Sequence, residues 1–368
     1  MTLSPSDTRA RVLVAMSGGV DSSVAAKLLL DEGYDCVGGM MRLYDGPEDV
    51  TGARTCCSLD DAEDARQVAR RLGVPFYVFN CKDAFRACVM EPFARAYERG
   101  CTPNPCIECN RTLKFGELYR RALALGCTDL ATGHYARIAF ENGRYLLKTA
   151  RDDSKDQSYV LWSLTQQMLA HLHFPLGELT KAEARAIAER EGFVNARKHD
   201  SQDICFVPDG DYAAAVEAIS GHAPQPGPFL DPAGNRIGTH RGIIHYTLGQ
   251  RRGLAIPAGE RVYVTEILPE QNAVVVGPPE DLMRTRACAD RFNWIAGEAP
   301  KGKFSCEAKI RYRQKRTPVT VWPEGEDRVR LEFDEPQRAV TPGQSAVLYD
   351  GDTVLGGGIL LREEEGTC

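Results

Sequence analysis

No stretch of this chain is both long and apolar enough to cross a bilayer, and the first ten residues lack the apolar core of a secretory signal. Both absences lead to the expectation of a cytoplasmic protein. There is no internal repeat, no G-x-G-x-x-G dinucleotide turn and no second C-x-x-C that would complete a zinc ribbon. A net charge of -6 leaves no room for an overall basic surface, so any RNA site must be a local patch. Thirteen cysteines without an export signal point to thiol, metal or redox chemistry rather than a disulfide framework. The 43% apolar and 26% charged content is that of a globular chain, and 368 residues exceed one typical core, so two or three domains are expected.

What is present is concentrated first in Ser17-Gly18-Gly19-Val20-Asp21-Ser22-Ser23. An apolar run over 11–16 precedes it and a helical run over 24–30 follows, giving strand, glycine turn and helix. Two glycines allow close backbone approach, three serines offer hydroxyls, and unsatisfied N–H groups at a helix start attract anions. Asp21 would repel a phosphate unless a cation lies between them, so Asp21 is read as a Mg²⁺ ligand facing a pyrophosphate. No lysine adjoins the serines, which excludes the Walker A loop. The turn resembles the PP-loop of the ATP pyrophosphatases, and that resemblance implies ATP as the nucleotide and AMP transfer as the chemistry.

The expected fold is α/β, an N-terminal doubly wound parallel sheet followed by a small β-rich central domain and a C-terminal β-barrel, with domains at 11–208, 209–281 and 282–362. Strands are read at 11–16, 36–41, 75–80 and 129–133. A helix over 59–71 follows Ser58, with Asp61 three residues on in the manner of a capping box, and Gly73 ends it. Met41 and Gly133-His134 then lie at the carboxyl ends of strands, where such sheets bind ligands. Asn142-Gly143 between 136–140 and 145–149 predicts a hairpin inserted in this domain. Pro224, Pro226, Gly227, Pro228 and Pro232 break the pattern, and alternating runs at 304–312, 319–322, 329–333 and 345–349 suggest the barrel.

Cys106-Ile107-Glu108-Cys109 follows the rigid Thr102-Pro103-Asn104-Pro105 loop and opens a helix expected over 110–125. Helix-end N–H groups with Arg111 and Lys114 would make such a thiol reactive. Cys205 is a second candidate, in Asp200-Ser201-Gln202-Asp203-Ile204-Cys205. Cys106, Cys109 and Cys205 together could instead hold an iron–sulfur cluster with one open iron. Among the other cysteines, Cys36, Cys81, Cys88, Cys127, Cys288 and Cys306 are read as packing. Basic residues gather at Gln250-Arg251-Arg252 and at Arg311-Tyr312-Arg313-Gln314-Lys315-Arg316, where arginine beside an aromatic suits phosphate contact and base stacking. Lys155-Asp156-Gln157-Ser158 mixes donors and acceptors.

Taken in order, Ser17 to Ser23, Thr102 to Pro105 with Cys109, Ala131-Thr132-Gly133-His134-Tyr135, Lys155 to Ser158, Ile204-Cys205-Phe206, Tyr246 to Arg251, Arg311 to Gln314 and Thr341-Pro342-Gly343-Gln344 resemble the tRNA-specific 2-thiouridylases of the MnmA family. The resemblance covers about residues 11 to 361. It implies thiolation at C2 of the wobble uridine of the tRNAs for lysine, glutamate and glutamine, with ATP and Mg²⁺. It places ATP against Ala15, Met16, Ser17, Gly18, Gly19, Val20, Asp21, Ser22, Met41 and Gly133, and the target base near Asn104, Pro105 and Cys106. Cys109 becomes the nucleophile and Cys205 the persulfide carrier. His134, Lys155, Asp156, Gln157, Arg311, Tyr312 and Gln344 become tRNA contacts. A persulfide donor protein or cysteine desulfurase supplies the sulfur. Cys106 stands where some members carry aspartate, which removes a candidate acid or base and supplies the third thiol a [4Fe-4S] cluster would need. Rival readings are another PP-loop thiolase or small-molecule synthetase, and a catalytically silent tRNA-binding protein.

Overall fold

The structure is a computed structural model that describes residues 10–44, 59–199, 204–207, 209–256 and 261–362. Cys56, Cys57, Ser58, Cys368, the polar first nine residues and the acidic stretch 200–203 lie outside the described residues. Two compact units emerge. The first holds residues 1–88, 106–210 and 352–354, the second residues 89–105, 211–351 and 355–368.

In the first unit, strands β1 (Arg11–Ala15), β2 (Asp35–Arg42), β3 (Phe76–Asn80), β4 (Asp129–Ala131), the hairpin strands β5 (Ala136–Glu141) and β6 (Arg144–Thr149), and β7 (Leu172–His173) are formed. Five of them make one parallel sheet in the order β3-β2-β1-β4-β7. Alternation along β1 assigns its two faces. Val12, Val14 and Met16 enter a core with Val24, Leu29, Ala65, Val68 and Ala184 from helices Val20–Asp31, Leu59–Leu72 and Lys181–Arg190. Leu13, equally buried, faces the other way, where the helix Leu118–Ala124 packs on β1 and β4. Helices on both faces are the doubly wound arrangement, and its strand order reverses at β1. The crevice between the carboxyl ends of β1 and β4 is the ligand-binding place of such a sheet. The two-residue β7 escapes the sequence reading because it is too short to carry a period.

In the second unit, β8 (Gly227–Leu230), β9 (Arg236–His240), β10 (Tyr263–Leu268) and β11 (Ala273–Gly277) form a four-stranded sheet in the order β10-β11-β8-β9 around Phe229, Tyr246, Val264 and Val274. The strands β12 (Met283–Trp294), β13 (Phe304–Lys309), β14 (Thr317–Glu324), β15 (Arg328–Arg338), β16 (Ser345–Asp350) and β17 (Thr353–Leu360) run β12-β15-β14-β13-β16-β17, and β17 pairs back to β12 to close a six-stranded barrel. Its core contains Phe292, Trp294, Val321, Leu331 and Leu348. No helix among the described residues is long and apolar enough to cross a membrane.

Candidate functional site

The glycine turn leaves β1 and enters the helix Val20–Asp31 through Gly19, which has no side chain to cap the first helical N–H groups. Gly18 sits at φ +76°, which a side chain would strain. A β-carbon on Gly133, just past β4, would lie 2.8 Å from the Ser22 backbone nitrogen, so only glycine lets β4 come this close to the turn. The serines brace the loop. Ser22 Oγ accepts from Ser17 N–H at 3.1 Å and donates to Gly19 O at 3.1 Å, and Ser23 Oγ donates to Gly19 O at 3.0 Å. An uncapped helix start, a positive-φ glycine and clustered hydroxyls at the β1–β4 crevice fit a bound nucleotide phosphate. Met41 lies near the end of β2 and is buried.

Asp21 is not waiting alone for a cation. Lys181 Nζ donates to both its oxygens at 2.7 and 2.8 Å, and Tyr135 OH donates to Oδ1 at 2.8 Å. Asn195 is a further fastening: its Nδ2 donates to Gly18 O at 2.9 Å, Gly19 O at 3.2 Å and Ser23 Oγ at 2.9 Å. Lys198 Nζ lies 2.5 Å from Asp61, 2.7 Å from Asp64 and 3.5 Å from Gly18 O. Lys181, Asn195 and Lys198 follow the turn by more than 150 residues, and no local pattern at any of the three marks it as a partner of the turn.

The cysteine segment folds earlier than its sequence suggests. A helical turn at Pro105–Glu108 runs directly into wide i-to-i+5 turns over Cys109–Glu117 and then the helix Leu118–Ala124. Proline at the first helical position explains the early start. Wide turns of this kind recur at functional sites. Cys109 is buried at 8% exposure and Cys106 is exposed. Arg111, expected to act on Cys109, instead pairs with Glu108 at 2.6 Å. Cys205 is half-buried, and the neighbouring Phe206 ring meets Phe85 edge-on at 5.7 Å. The short helix Lys82–Phe85 in turn packs on the Cys109–Glu117 segment. Among the described residues, however, no three His, Cys, Asp or Glu side chains are grouped to hold a metal ion. Cys106, Cys109 and Cys205 therefore do not form the cluster site the sequence allowed. Of the remaining cysteines, Cys36 is pushed up to about 11 and Cys306 to about 12 by burial, as inert packing thiols are. Cys88 is exposed rather than packed, and Cys288 is disulfide-bonded.

Several residues expected to contact tRNA have internal partners. Asp156 accepts from Ala150 N–H at 3.1 Å and from Ser158 Oγ at 2.8 Å, and Gln157 Oε1 accepts from Tyr135 N–H at 2.9 Å. In the second unit, Arg311 donates to Thr341 Oγ1 at 3.0 Å and to Ala339 O. Gln344 Nε2 donates to Thr102 O at 2.6 Å while Thr102 N–H donates to Pro342 O at 2.9 Å. The Thr341 to Gln344 motif thus clasps the chain immediately before Asn104 and Pro105. Exposure in the β13–β14 turn falls on Tyr312, Arg313 and Lys315, with Tyr312 at 38%.

His134 is inside as well. It shares a 2.7 Å hydrogen bond with Thr132 and its ring lies 5.9 Å from both Phe115 and Phe174. Burial, and after it the Lys114 charge, hold this imidazole well below its usual 6.5. The folded protein keeps it neutral while the unfolded chain protonates it below about pH 6.5, so its contribution is whole above that pH and is lost as pH falls beneath it. The thermal midpoint is expected to drop more steeply between pH 7 and pH 5 in the wild type than in His134→Gln. Equal slopes would refute the assignment.

Three family models match in sequence order: a tRNA methyl transferase HUP domain over residues 10–209, a tRNA methyl transferase PRC-barrel domain over 219–278 and an aminomethyltransferase beta-barrel domain over 284–360. The chain is 46% identical to the tRNA-specific 2-thiouridylase MnmA of Roseiflexus castenholzii, over 96% of this chain and 100% of that one. Against the MnmA of Moorella thermoacetica it is 50% identical over 95% and 98%, and against that of Symbiobacterium thermophilum 49% over 96% and 92%. Similarity of that level over nearly the whole length of each chain is the mark of common family membership: the chain belongs to the MnmA family of tRNA-specific 2-thiouridylases.

Proposed function

We propose that this protein uses ATP to replace the C2 oxygen of the wobble uridine with sulfur in the tRNAs for lysine, glutamate and glutamine, in the cytoplasm. The observation that carries the reading is the presence in one unit of an uncapped phosphate-binding turn and two thiols, Cys109 and Cys205. The thiouridylase relatives fit it better than the methyl-transferase wording of the family models, since thiol chemistry and an ATP turn serve sulfur transfer.

The chemistry follows from a poor leaving group. Uracil O2 attacks the α-phosphorus of ATP and pyrophosphate departs, leaving C2 bonded to an adenylated oxygen. Ala15 to Ser22, Met41 and Gly133 would hold the nucleotide, and Mg²⁺ on Asp21 would neutralise the pyrophosphate charge. The outer sulfur of a Cys205 persulfide, delivered by a donor protein or cysteine desulfurase, then becomes the new C2 substituent, and AMP leaves with the original oxygen. When Cys109 attacks the inner sulfur of that persulfide, hydrosulfide is released to C2, and Cys109 and Cys205 close a disulfide that a two-electron thiol reductant reopens. Asn104, Pro105 and Cys106 flank the base, while Lys155, Tyr312, Arg313 and Lys315 contact the RNA.

The test is mass spectrometry of wobble nucleosides after unmodified tRNA is incubated with the protein, ATP, Mg²⁺ and a persulfide donor. Oxygen-to-sulfur exchange with equal AMP and pyrophosphate is expected. ATP–pyrophosphate exchange that proceeds undiminished without tRNA, and no thiolated nucleoside, would favour a small-molecule synthetase instead.

A further inference from the structure

The loop that follows β6 reaches the Asp21 carboxylate by two separate routes, both inside the first unit. On one, Gln157 exchanges two hydrogen bonds with the Tyr135 backbone, accepting from its N–H at 2.9 Å and donating to its carbonyl at 2.8 Å. Tyr135 OH then donates to Asp21 Oδ1 at 2.8 Å. On the other, Asp152 accepts from the Lys181 backbone N–H at 3.0 Å, and Lys181 Nζ grips both Asp21 oxygens. The loop between is tied to itself. Ser154 Oγ donates to Asp152 at 2.6 Å, Lys155 N–H donates to Asp152 O at 3.0 Å, and Asp156 is held by Ala150 and Ser158. A short, internally fastened loop shifts as a body, so movement of its outer part is carried to both donors of Asp21. Tyr135 is 3% exposed, and its ring has little freedom to absorb that movement by itself.

Asp21 is satisfied by Lys181 and Tyr135 as found, and the Mg²⁺ and ATP of the proposed function would offer it a second set of partners once Lys181 had moved to the anion. A group poised between two sets of partners is the bistable element that coupling between sites requires. We propose that Tyr135, as a positioning residue, and Lys181, which passes from Asp21 to the phosphates, couple loop 151–158 to the nucleotide turn. RNA seated on the loop sets the Asp21 carboxylate for ATP, and ATP seated on the turn tightens RNA by the same factor. The inference rests on the reading of the protein as an ATP-dependent tRNA enzyme.

Dissociation constants of unmodified tRNA, with and without a non-hydrolysable ATP analogue plus Mg²⁺, and of the analogue with and without tRNA, test it. In the wild type the two ratios should agree and reach at least about fivefold. In Tyr135→Phe, which keeps the ring and removes only the hydroxyl, the ratio should fall to within about twofold of unity whatever the individual constants do. Asp152→Ala, cutting the other route, should lower it too. A merely structural role would shift individual constants and leave the ratio standing. A wild-type ratio of one, or an undiminished ratio in Tyr135→Phe, overturns the coupling. Failure of the wild type to bind tRNA at all overturns the functional reading along with it.

Discussion

Cys109→Ser is expected to reduce formation of 2-thiouridine by on the order of 10³-fold or more, because an alcohol at neutral pH is neither the nucleophile nor the sulfur leaving group that persulfide exchange demands. Its ATP binding should persist, since the nucleotide turn is braced by serine hydroxyls and Asn195 rather than by the cysteine segment. Cys205→Ser should be as inactive, for a different reason. Cys109→Ser should accumulate a persulfide on Cys205, whereas Cys205→Ser should accept no sulfur from the donor. Intact-mass measurement after loading, with and without a reductant, separates these outcomes. Multiple turnovers by either variant at the wild-type rate would remove that thiol from the mechanism. Cys106→Ser should remain active, since Cys106 is exposed and the three thiols are not gathered as metal ligands. Loss of activity on a par with Cys109→Ser would instead give Cys106 a chemical part.

The legible portion of this fold is the part whose signal is local. β1, β2 and β3 each appear within one or two residues of the sequence reading because each is an unbroken apolar run, and the Asn142-Gly143 hairpin announces itself by its turn. The phosphate turn is legible because glycine and serine are needed at adjacent positions. What escapes is contact at a distance. Lys181 opens a helix behind the Thr180 and Glu183 capping box, and from sequence that lysine reads as an ordinary exposed first-turn residue, yet it grips Asp21 from 160 positions away. Asn195 has no motif at all.

The second shortfall is one of direction. Arg311, Gln344, Asp156 and Gln157 are polar residues in loops that the family resemblance implied as tRNA contacts. In the folded chain each half-buried side chain satisfies backbone groups or a neighbouring side chain, since backbone groups of irregular segments taken out of water must find partners. The Thr341 to Gln344 stretch and the Thr102 loop, read as two motifs, are one clasp, and residues such as these can be indispensable to the site without touching substrate. Tyr312, Arg313 and Lys315, left exposed by the inward turn of Arg311 and Gln314, are the members of that run available to RNA.

Lys181→Met is expected to raise the KM for ATP by about 10- to 100-fold, the range that loss of a charge-assisted hydrogen bond of about 1.5–3 kcal/mol allows. Among the described residues the ammonium is the one cation found on Asp21, and its side chain is 12% exposed against 32% for the carboxylate, so water screens the pair only in part. Without it the carboxylate keeps the Tyr135 hydroxyl but loses the positive charge that makes a triphosphate tolerable beside it. Two roles for Lys181 make different demands on a double variant. Were neutralising Asp21 its whole task, Asp21→Asn would relieve the loss, and Asp21→Asn/Lys181→Met would bind ATP better than Lys181→Met alone. Transfer of the lysine from Asp21 to the phosphates predicts no such relief, because the amide substitution cannot replace a phosphate donor and also discards the Mg²⁺ ligand. We expect the second pattern, read as ATP affinity by titration calorimetry at fixed Mg²⁺ and ionic strength. Full recovery in the double variant would confine Lys181 to charge balance, and a KM within about twofold of wild type in the single variant would remove it from nucleotide binding altogether.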